Sequence, residues 1–503
     1  MHYFVGIGIY HSFTGVEKAM FNRLKLFKQH QIPAKLLTVN YHHLSSMYAK
    51  QFGIENDVLN MYDYFQQCMY VHPNQSFDYT NYWRTHLGYE TQIVNYGKDI
   101  KVTQNGRKVI YARFFDDDFT QPMFINYFNA RDQFVKHEEY DVRGFLSSVC
   151  HYAEGNKTVY QEFFTPTGEK VIEKYYDEME KNLRPTMIFL KNHYGQFEKF
   201  DSEEALISHF LDLIHKPDDI FVIDRPLELV PAFLNMQAKA NKAVVIHMQH
   251  LADNRLKWPY DLLFKHLDQF NALITSTKAQ QQDIASFIQH DAQYKPIHVT
   301  NIPVGYVDQQ LLKIPNVKKQ RNHFISVSRY VVDKQLDHQI RVIHRLHEKF
   351  PDITLDLYGF GSQHQQLDAL IQSLNAESYI KLRGFKDDLT DVYGRAVASL
   401  LTSNSEGFAL AVLESLSHHT PVIAYDIDYG PNEMIIDGVN GNLVPLNDEE
   451  ALYNTLYQLL SNQAQQIHYF NQCIPSIEPY YDQRIIEQWQ TLFKQIQTKS
   501  DQK

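Results

Sequence analysis

The residues best placed for chemistry lie in the C-terminal half of the sequence. Arg329 and Lys334 stand in SRYVVDK, directly after the apolar run HFISVS. A fixed guanidinium and a mobile ammonium at a strand end can neutralise a diphosphate, although one of each in a loop is, taken alone, ordinary solvated charge. Further on, VASLLTSNSEGFALAVLESL reads as a strand, a tight loop at Gly407 and a helix. That order sets the backbone amides of Phe408, Ala409 and Leu410 at a helix N-terminus, where unsatisfied N–H groups receive phosphate. Glu406 precedes the loop and Glu414 lies in the helix. One carboxylate can face a sugar while the other accepts hydrogen bonds from ribose hydroxyls. The same spacing also arises as plain helix-terminal and helix-face charge.

The elements that must position these groups follow from periodicity. HYFVGIGIY reads as a buried strand, Gly15-Val16-Glu17 opens an amphipathic helix to about His30, and PAKLLTVNY returns as a strand. Residues 45–200 break this rhythm with a helical piece near MYDYFQQCMY. Alternating, aromatic-rich runs follow, with turn signals at Asn105-Gly106, Gly155-Asn156 and Thr167-Gly168. The α/β rhythm resumes in DIFVID, KAVVIHMQH, ALITST and IHVTNIPVGY, and a second series runs from HFISVSRY to GNLVP. The expected class is α/β, with two facing Rossmann-like, doubly wound domains and an antiparallel β-sheet inserted in the first. Expected bounds are 1–45 plus 205–315 for the first domain, 46–204 for the insert and 316–480 for the second domain. A C-terminal helix over 481–503 is expected to pack back toward the first. Ligands of such sheets bind beyond the carboxyl ends of the strands, where the residues above stand.

Composition narrows the classes. A chain of 503 residues exceeds what one core ordinarily serves. Its 48 Lys and Arg against 59 Asp and Glu leave a net charge of −11, which argues against a nucleic-acid partner. Cys68, Cys150 and Cys473 are far apart and form no CxxC pair, so neither a disulfide framework nor a zinc site is indicated. The opening MHYFVG has no basic n-region, and no run approaches the roughly 18 apolar residues of a membrane span. A cytoplasmic location is expected, at most peripheral to the inner membrane surface. The 33 Tyr and 32 Phe favour strands and supply flat rings that can stack on sugars or bases.

Taken together, SRY-x3-K, LYGFGS, LRGF, EGFALAVLE and YDIDYGPNE resemble the C-terminal donor domain of retaining, family-4-type GT-B glycosyltransferases. The resemblance implies that Arg329 and Lys334 contact the donor diphosphate and that the backbone of Gly407, Phe408, Ala409 and Leu410 holds phosphate. It also implies that Glu414 receives the ribose and that Glu406 reaches hydroxyls of the transferred sugar. Gly359 and Gly384, from LYGFGS and LRGF, join the donor-binding set. In the N-terminal half, Thr14-Gly15-Val16-Glu17 matches the family's glycine loop, through which backbone approaches the donor phosphate. His247, near the end of KAVVIHMQH, matches the family's cleft histidine and is implied to act with Glu406 in catalysis. His250 reads equally well as a core histidine.

Over nearly the whole length, TGVEKAMFNRLKLF, the insert with DVRGFLSS, and NIPVGY are similar to a bacterial subgroup that glycosylates cell-wall products. Its members place N-acetylglucosamine on Ser-rich or Ser-Asp-repeat adhesins, and a relative decorates wall teichoic acid. The implied reaction moves N-acetylglucosamine from UDP-GlcNAc to serine hydroxyls with retention, with teichoic acid as the alternative acceptor. No cofactor or metal is expected, because Arg329 and Lys334 supply the positive charge. Asp116-Asp117-Asp118 and Asp426-Ile427-Asp428 are the acidic triplets a metal would otherwise use. The insert is implied to serve acceptor binding or subunit contacts, leaving a homo-oligomer and a partner transferase subunit both open. For an acidic Ser-Asp acceptor, Arg113, Lys136 and Arg143 of the insert are candidates to line a groove, or else solvated surface charge. A nucleotide-sugar epimerase shares the architecture, but the large aromatic insert favours a macromolecular acceptor.

Overall fold

The structure, a computed structural model, describes residues 1–11, 14–71, 77–177, 184–252, 255–312, 319–386 and 388–501. It divides into two units, Met1–Glu17 with Pro33–Ala240 and Lys18–Ile32 with Asn241–Lys503.

In the first unit the opening apolar run forms the strand His2–Gly6, with Phe4 and Val5 fully buried. Ile220–Ile223 pairs parallel on one side of it, and Ala34–Thr38, followed by Val58–Asn60, on the other. Strands this apolar suit a parallel sheet buried on both faces. The helical piece expected near MYDYFQQCMY is the short helix Met61–Phe65, capped by the side chain of Asn60. The chain then makes an antiparallel meander from Glu90–Val94 to Phe197–Phe200. Among the described residues its ten strands each pair with their neighbours in sequence. Turn chemistry dictates this. Asn105 and Gly106 take φ of 50° and 75°, the two positive values of a type I′ turn, between Gln104 and Arg107 in register. Trp83, Ile100, Ile110 and Ile125 form an apolar core for the sheet. Arg143 pins it to the preceding segment by donating to Asp63 at 2.8 Å, Asp141 at 2.7 Å and the Cys68 carbonyl at 2.6 Å.

The second unit holds parallel strands Asn241–Ile246, Ala272–Thr275 and His298–Asn301. It also holds a six-stranded parallel sheet in the order Ile380–Gly384, Thr354–Tyr358, His323–Val327, Ala398–Leu401, Val422–Tyr425, Gly441–Val444. The order runs outward in both directions from His323–Val327, so the topological switch lies between that strand and Ala398–Leu401. One face buries Phe324, Leu355, Leu357 and Ile380 against Ile340 and Ile343 of the helix Leu336–His347 and against Leu367 and Ile371 of the helix His364–Ser373. On the other face, Leu401, Val422 and Ala424 pack on Val412, Leu413 and Leu416 of the helix Leu410–Ser417. The last helix, Asp482–Asp501, sets Trp489 and Phe493 about Phe27, with ring centroids at 6.1 and 5.8 Å. Among the described residues no helix is long and apolar enough to cross a membrane.

Candidate active site

The two loops leaving the switch-point strands carry Arg329 and Lys334 on one side and Glu406 to Leu410 on the other. They are laced together. Lys334 is buried, and its Nζ lies 2.8 Å from Glu406 Oε1, 3.1 Å from the Ser405 carbonyl and 3.3 Å from Asp333 Oδ2. Ser403 Oγ donates to the same Glu406 oxygen at 2.7 Å. Thr402 Oγ1 donates to the Lys334 and Gln335 carbonyls at 2.9 and 3.0 Å, and the Asn404 amide donates to the Asp333 carbonyl at 2.8 Å. Arg329 is exposed and forms no ion pair among the described residues. Asp333, Ser403 and Ser405 were not singled out from the sequence; their only signal there is position inside the two motifs.

Gly407 stands where no other residue fits, since a Cβ on it would lie 1.7 Å from the His247 carbonyl oxygen. The loop that the resemblance assigns to phosphate therefore rests directly on the His247 backbone. Gly430, in the YDIDYGPNE segment, meets the same loop, because a Cβ there would lie 2.6 Å from the Phe408 carbonyl oxygen. Phe408 and Ala409 are buried, and Ala409 takes φ 62° as the residue before the helix. A left-handed alanine costs about 1 kcal/mol, the kind of strain that clusters at ligand sites. No side chain caps the Leu410–Ser417 helix, which leaves its first N–H groups without a side-chain acceptor.

Gly384 ends its strand and Gly359 follows directly on the end of the neighbouring one, with the Gly359 amide donating to the Gly384 carbonyl at 2.9 Å. Gly359 has φ 147°, and a Cβ on it would lie 1.8 Å from the Ser328 carbonyl oxygen; Gly384 has φ 74° and open space beside it. Glu414 pairs with Lys18 and accepts from the Tyr393 hydroxyl at 3.4 Å. Lys18 lies within TGVEKAMFNRLKLF, but its tie to a residue 396 positions away has no sequence signal.

In the first unit, Gly15 opens its helix with no atom within 4 Å of where a Cβ would stand. Beside it, Thr14 donates to Glu17 at 2.9 Å through its amide, and Arg225 Nε donates to the same carboxylate at 3.1 Å. Burial pushes the Glu17 carboxyl up, and Thr14 and Arg225 together hold it below its ordinary value. In the second unit, His250 proves to be a core residue. It is fully buried, neither ring nitrogen has a hydrogen-bond partner, and it lies edge-on to Phe287. Burial holds its pKa down to about 4.

Asp116 is occupied structurally, accepting from Thr120 Oγ1 at 2.6 Å and from the Gln121 amide at 2.9 Å. No group of three His, Cys, Asp or Glu suited to a metal occurs among the described residues. The basic candidates of the insert are taken up by its own acids: Arg113 by Asp99 at 2.7 Å, Lys136 by Glu138 at 2.8 Å and Arg143 by Asp63 and Asp141.

Residues 308–472 match the family model "Glycosyl transferases group 1". Over 99% of both chains, the protein is 26% identical to the UDP-N-acetylglucosamine--peptide N-acetylglucosaminyltransferase GtfA subunit of Streptococcus gordonii. It is 25% identical to the poly(ribitol-phosphate) alpha-N-acetylglucosaminyltransferase of Staphylococcus aureus, over 95% of this chain and 96% of that one. Among solved structures, the pneumococcal O-GlcNAc transferase GtfA in complex with UDP and GlcNAc superposes with a TM-score of 0.86 at 21% identity, covering 98% of each chain. The chain therefore has the GT-B fold with an antiparallel insertion, and residues 308–472 form a group 1 glycosyltransferase domain within it.

Proposed function

We propose that this protein is a cytoplasmic, retaining glycosyltransferase that moves N-acetylglucosamine from UDP-GlcNAc onto serine hydroxyls of Ser-rich or Ser-Asp-repeat polypeptides, working with a partner subunit. The observation that carries the transferase chemistry is the Lys334–Glu406 pair at the switch point, 2.8 Å apart and backed by an uncapped helix. The peptide acceptor and the partner are supported by the whole-length likeness to a peptide N-acetylglucosaminyltransferase named as a subunit.

In this reading the bond between the sugar's anomeric carbon and the diphosphate oxygen breaks, and its electron pair leaves on the phosphate. Arg329, Lys334 and the amides before Leu410 stabilise that charge as it grows. Lys334 has three donors for its three acceptors, so it reaches phosphate by giving up Ser405 or Asp333 while keeping Glu406 in place. Glu406 accepts from a sugar hydroxyl, and Glu414, steadied by Lys18, accepts from ribose. The serine oxygen attacks from the face the phosphate leaves, and the leaving phosphate takes its proton, so configuration is retained without an enzyme nucleophile.

The test incubates the purified protein with UDP-GlcNAc and a Ser-Asp-repeat polypeptide and reads intact mass. Stepwise additions of N-acetylhexosamine are expected, alone or once a partner subunit is supplied. Transfer to poly(ribitol phosphate) with none to polypeptide replaces the acceptor, and no UDP release under any condition removes the enzyme reading.

A further inference from the structure

Arg113, Lys136 and Arg143 of the insert are taken up by its own acids, so they are poor candidates to meet an acidic partner. In the second unit a cavity of about 410 Å³ opens on the six-stranded sheet. Sheets of this type are ordinarily covered on both faces. Here one face of the strands Thr354–Tyr358 and Ile380–Gly384 is covered through Leu355, Leu357 and Ile380. On the other, the short helix Thr390–Arg395 packs Val392 and Tyr393 on Ile325 of the next strand, and of these two strands only Tyr358 packs against that cluster. The alternate residues Asp356, Lys381 and Arg383 are left lining the cavity, with Lys386 and Arg395 around them.

Four cations, Lys381, Arg383, Lys386 and Arg395, thus meet two carboxylates, Asp356 and Asp391, in a chain of net charge −11. Arg383 is paired, its Nε 2.9 Å from Asp356 Oδ1. Lys381, Lys386 and Arg395 are exposed and form no ion pair among the described residues. His323 hydrogen-bonds Thr354 Oγ1 at 2.9 Å through Nδ1; burial holds its pKa below the ordinary value, so it adds no charge near neutral pH.

The strand beside these cations, Ile380–Gly384, ends the sheet's order among the described residues. The Ile380 amide already donates to the Ala376 carbonyl and the Gly384 carbonyl accepts from the Gly359 amide, so the outward-facing backbone between them is what a partner strand can pair with. A polyphosphate chain could meet the cations but has no N–H donors for the carbonyls, whereas an extended polypeptide meets both. At about 3.3 Å per residue, a strand of this length matches roughly five residues of partner chain.

We propose that this groove docks an extended acidic polypeptide segment, its carboxylates on Lys381, Lys386 and Arg395 and its backbone along the edge of Ile380–Gly384. The biological role rests on the peptide-acceptor reading: a segment held here binds whether or not it carries a serine, so neighbouring repeats of one acceptor raise the effective concentration of the next.

The test measures fluorescence anisotropy of a labelled Asp-Gly repeat peptide, which has no hydroxyl to glycosylate, on the full-length protein. Binding that weakens with salt is expected, and K381E/R395E should weaken it roughly tenfold or more while UDP release into water stays within about twofold. Hydrogen exchange of the 380–384 amides should slow when the peptide binds. Should the charge reversals unfold the protein, K381A/R395Q supplies the same comparison. Unchanged affinity, unslowed exchange at 380–384, or preference for poly(glycerol phosphate) overturns the proposal. Retained Asp-Gly binding with no transfer to Ser-Asp polypeptide removes the acceptor reading and leaves the groove standing.

Discussion

Lys334 Nζ and Ser403 Oγ converge on one oxygen of Glu406, at 2.8 and 2.7 Å. Glu406→Gln keeps the shape and removes the charge, leaving a buried ammonium without its main counterion. Turnover should fall about 100-fold or more with folding retained. The double variant K334M/E406Q should be less destabilised than the sum of the singles in urea melts, because it removes both charges. Near-normal turnover of Glu406→Gln takes this carboxylate out of the reaction.

Arg329 behaves differently because it is exposed and forms no ion pair among the described residues. Arg329→Ala should leave stability within about 0.5 kcal/mol. Its dissociation constant for UDP should rise about tenfold or more, with a shallower salt dependence. Titration calorimetry at two ionic strengths checks both, and unchanged UDP affinity contradicts the assignment.

Gly384 and Gly407 form a contrasting pair. Gly384→Ala meets open space and only the left-handed strain at φ 74°, so about 1 kcal/mol is expected. Gly407→Ala drives a methyl into the His247 carbonyl and must displace backbone, so a cost of about 3 kcal/mol and weaker UDP binding are expected. Equal melting temperatures for the two variants would falsify the packing argument.

The fold was legible because each level of signal agreed: apolar runs became parallel strands, and Asn105-Gly106 became the turn its composition demands. At the site, the strand–loop–helix around Gly407 was readable for the same reason. What could not be read depends on distance in the chain. Nothing near Glu414 announces Lys18, nothing near Gly407 announces the His247 carbonyl, and His250 looks like His247 until burial separates them. Arg113 reads as free charge because its acidic partner, Asp99, sits on the neighbouring strand.

His250 also gives a pH prediction. Its pKa is about 4 in the fold against an ordinary value near 6.5, so the unfolded chain binds a proton that the folded chain refuses. Stability from this group is fully present above pH 6.5 and is lost as pH falls toward 4, by about 2 kcal/mol at pH 5. His250→Leu should flatten that part of the profile in unfolding measured at pH 7.5 and 5.0. An unchanged slope places the titration elsewhere.

Transfer should survive chelation, since Arg329, Lys334 and helix amides are assigned the charge of the departing diphosphate. Treatment with a chelator should change the rate less than about twofold, because preorganised donors do the stabilising. Abolition by chelator with recovery on magnesium or manganese requires a metal route instead.

The pairing of His2–Gly6 with Ile220–Ile223 bears on how the protein is made. Met1 and Asp219, at the head of these strands, are joined at 2.9 Å across 218 positions. During synthesis at about 5–20 residues per second, the opening strand waits roughly 10–40 seconds for its partner to be made. The meander between them joins only sequence neighbours, and hairpins form in about 1–10 microseconds. Each hairpin can therefore form as it emerges from the ribosome. The insertion can thus be in place before the pairing of His2–Gly6 with Ile220–Ile223 closes the parallel sheet around it.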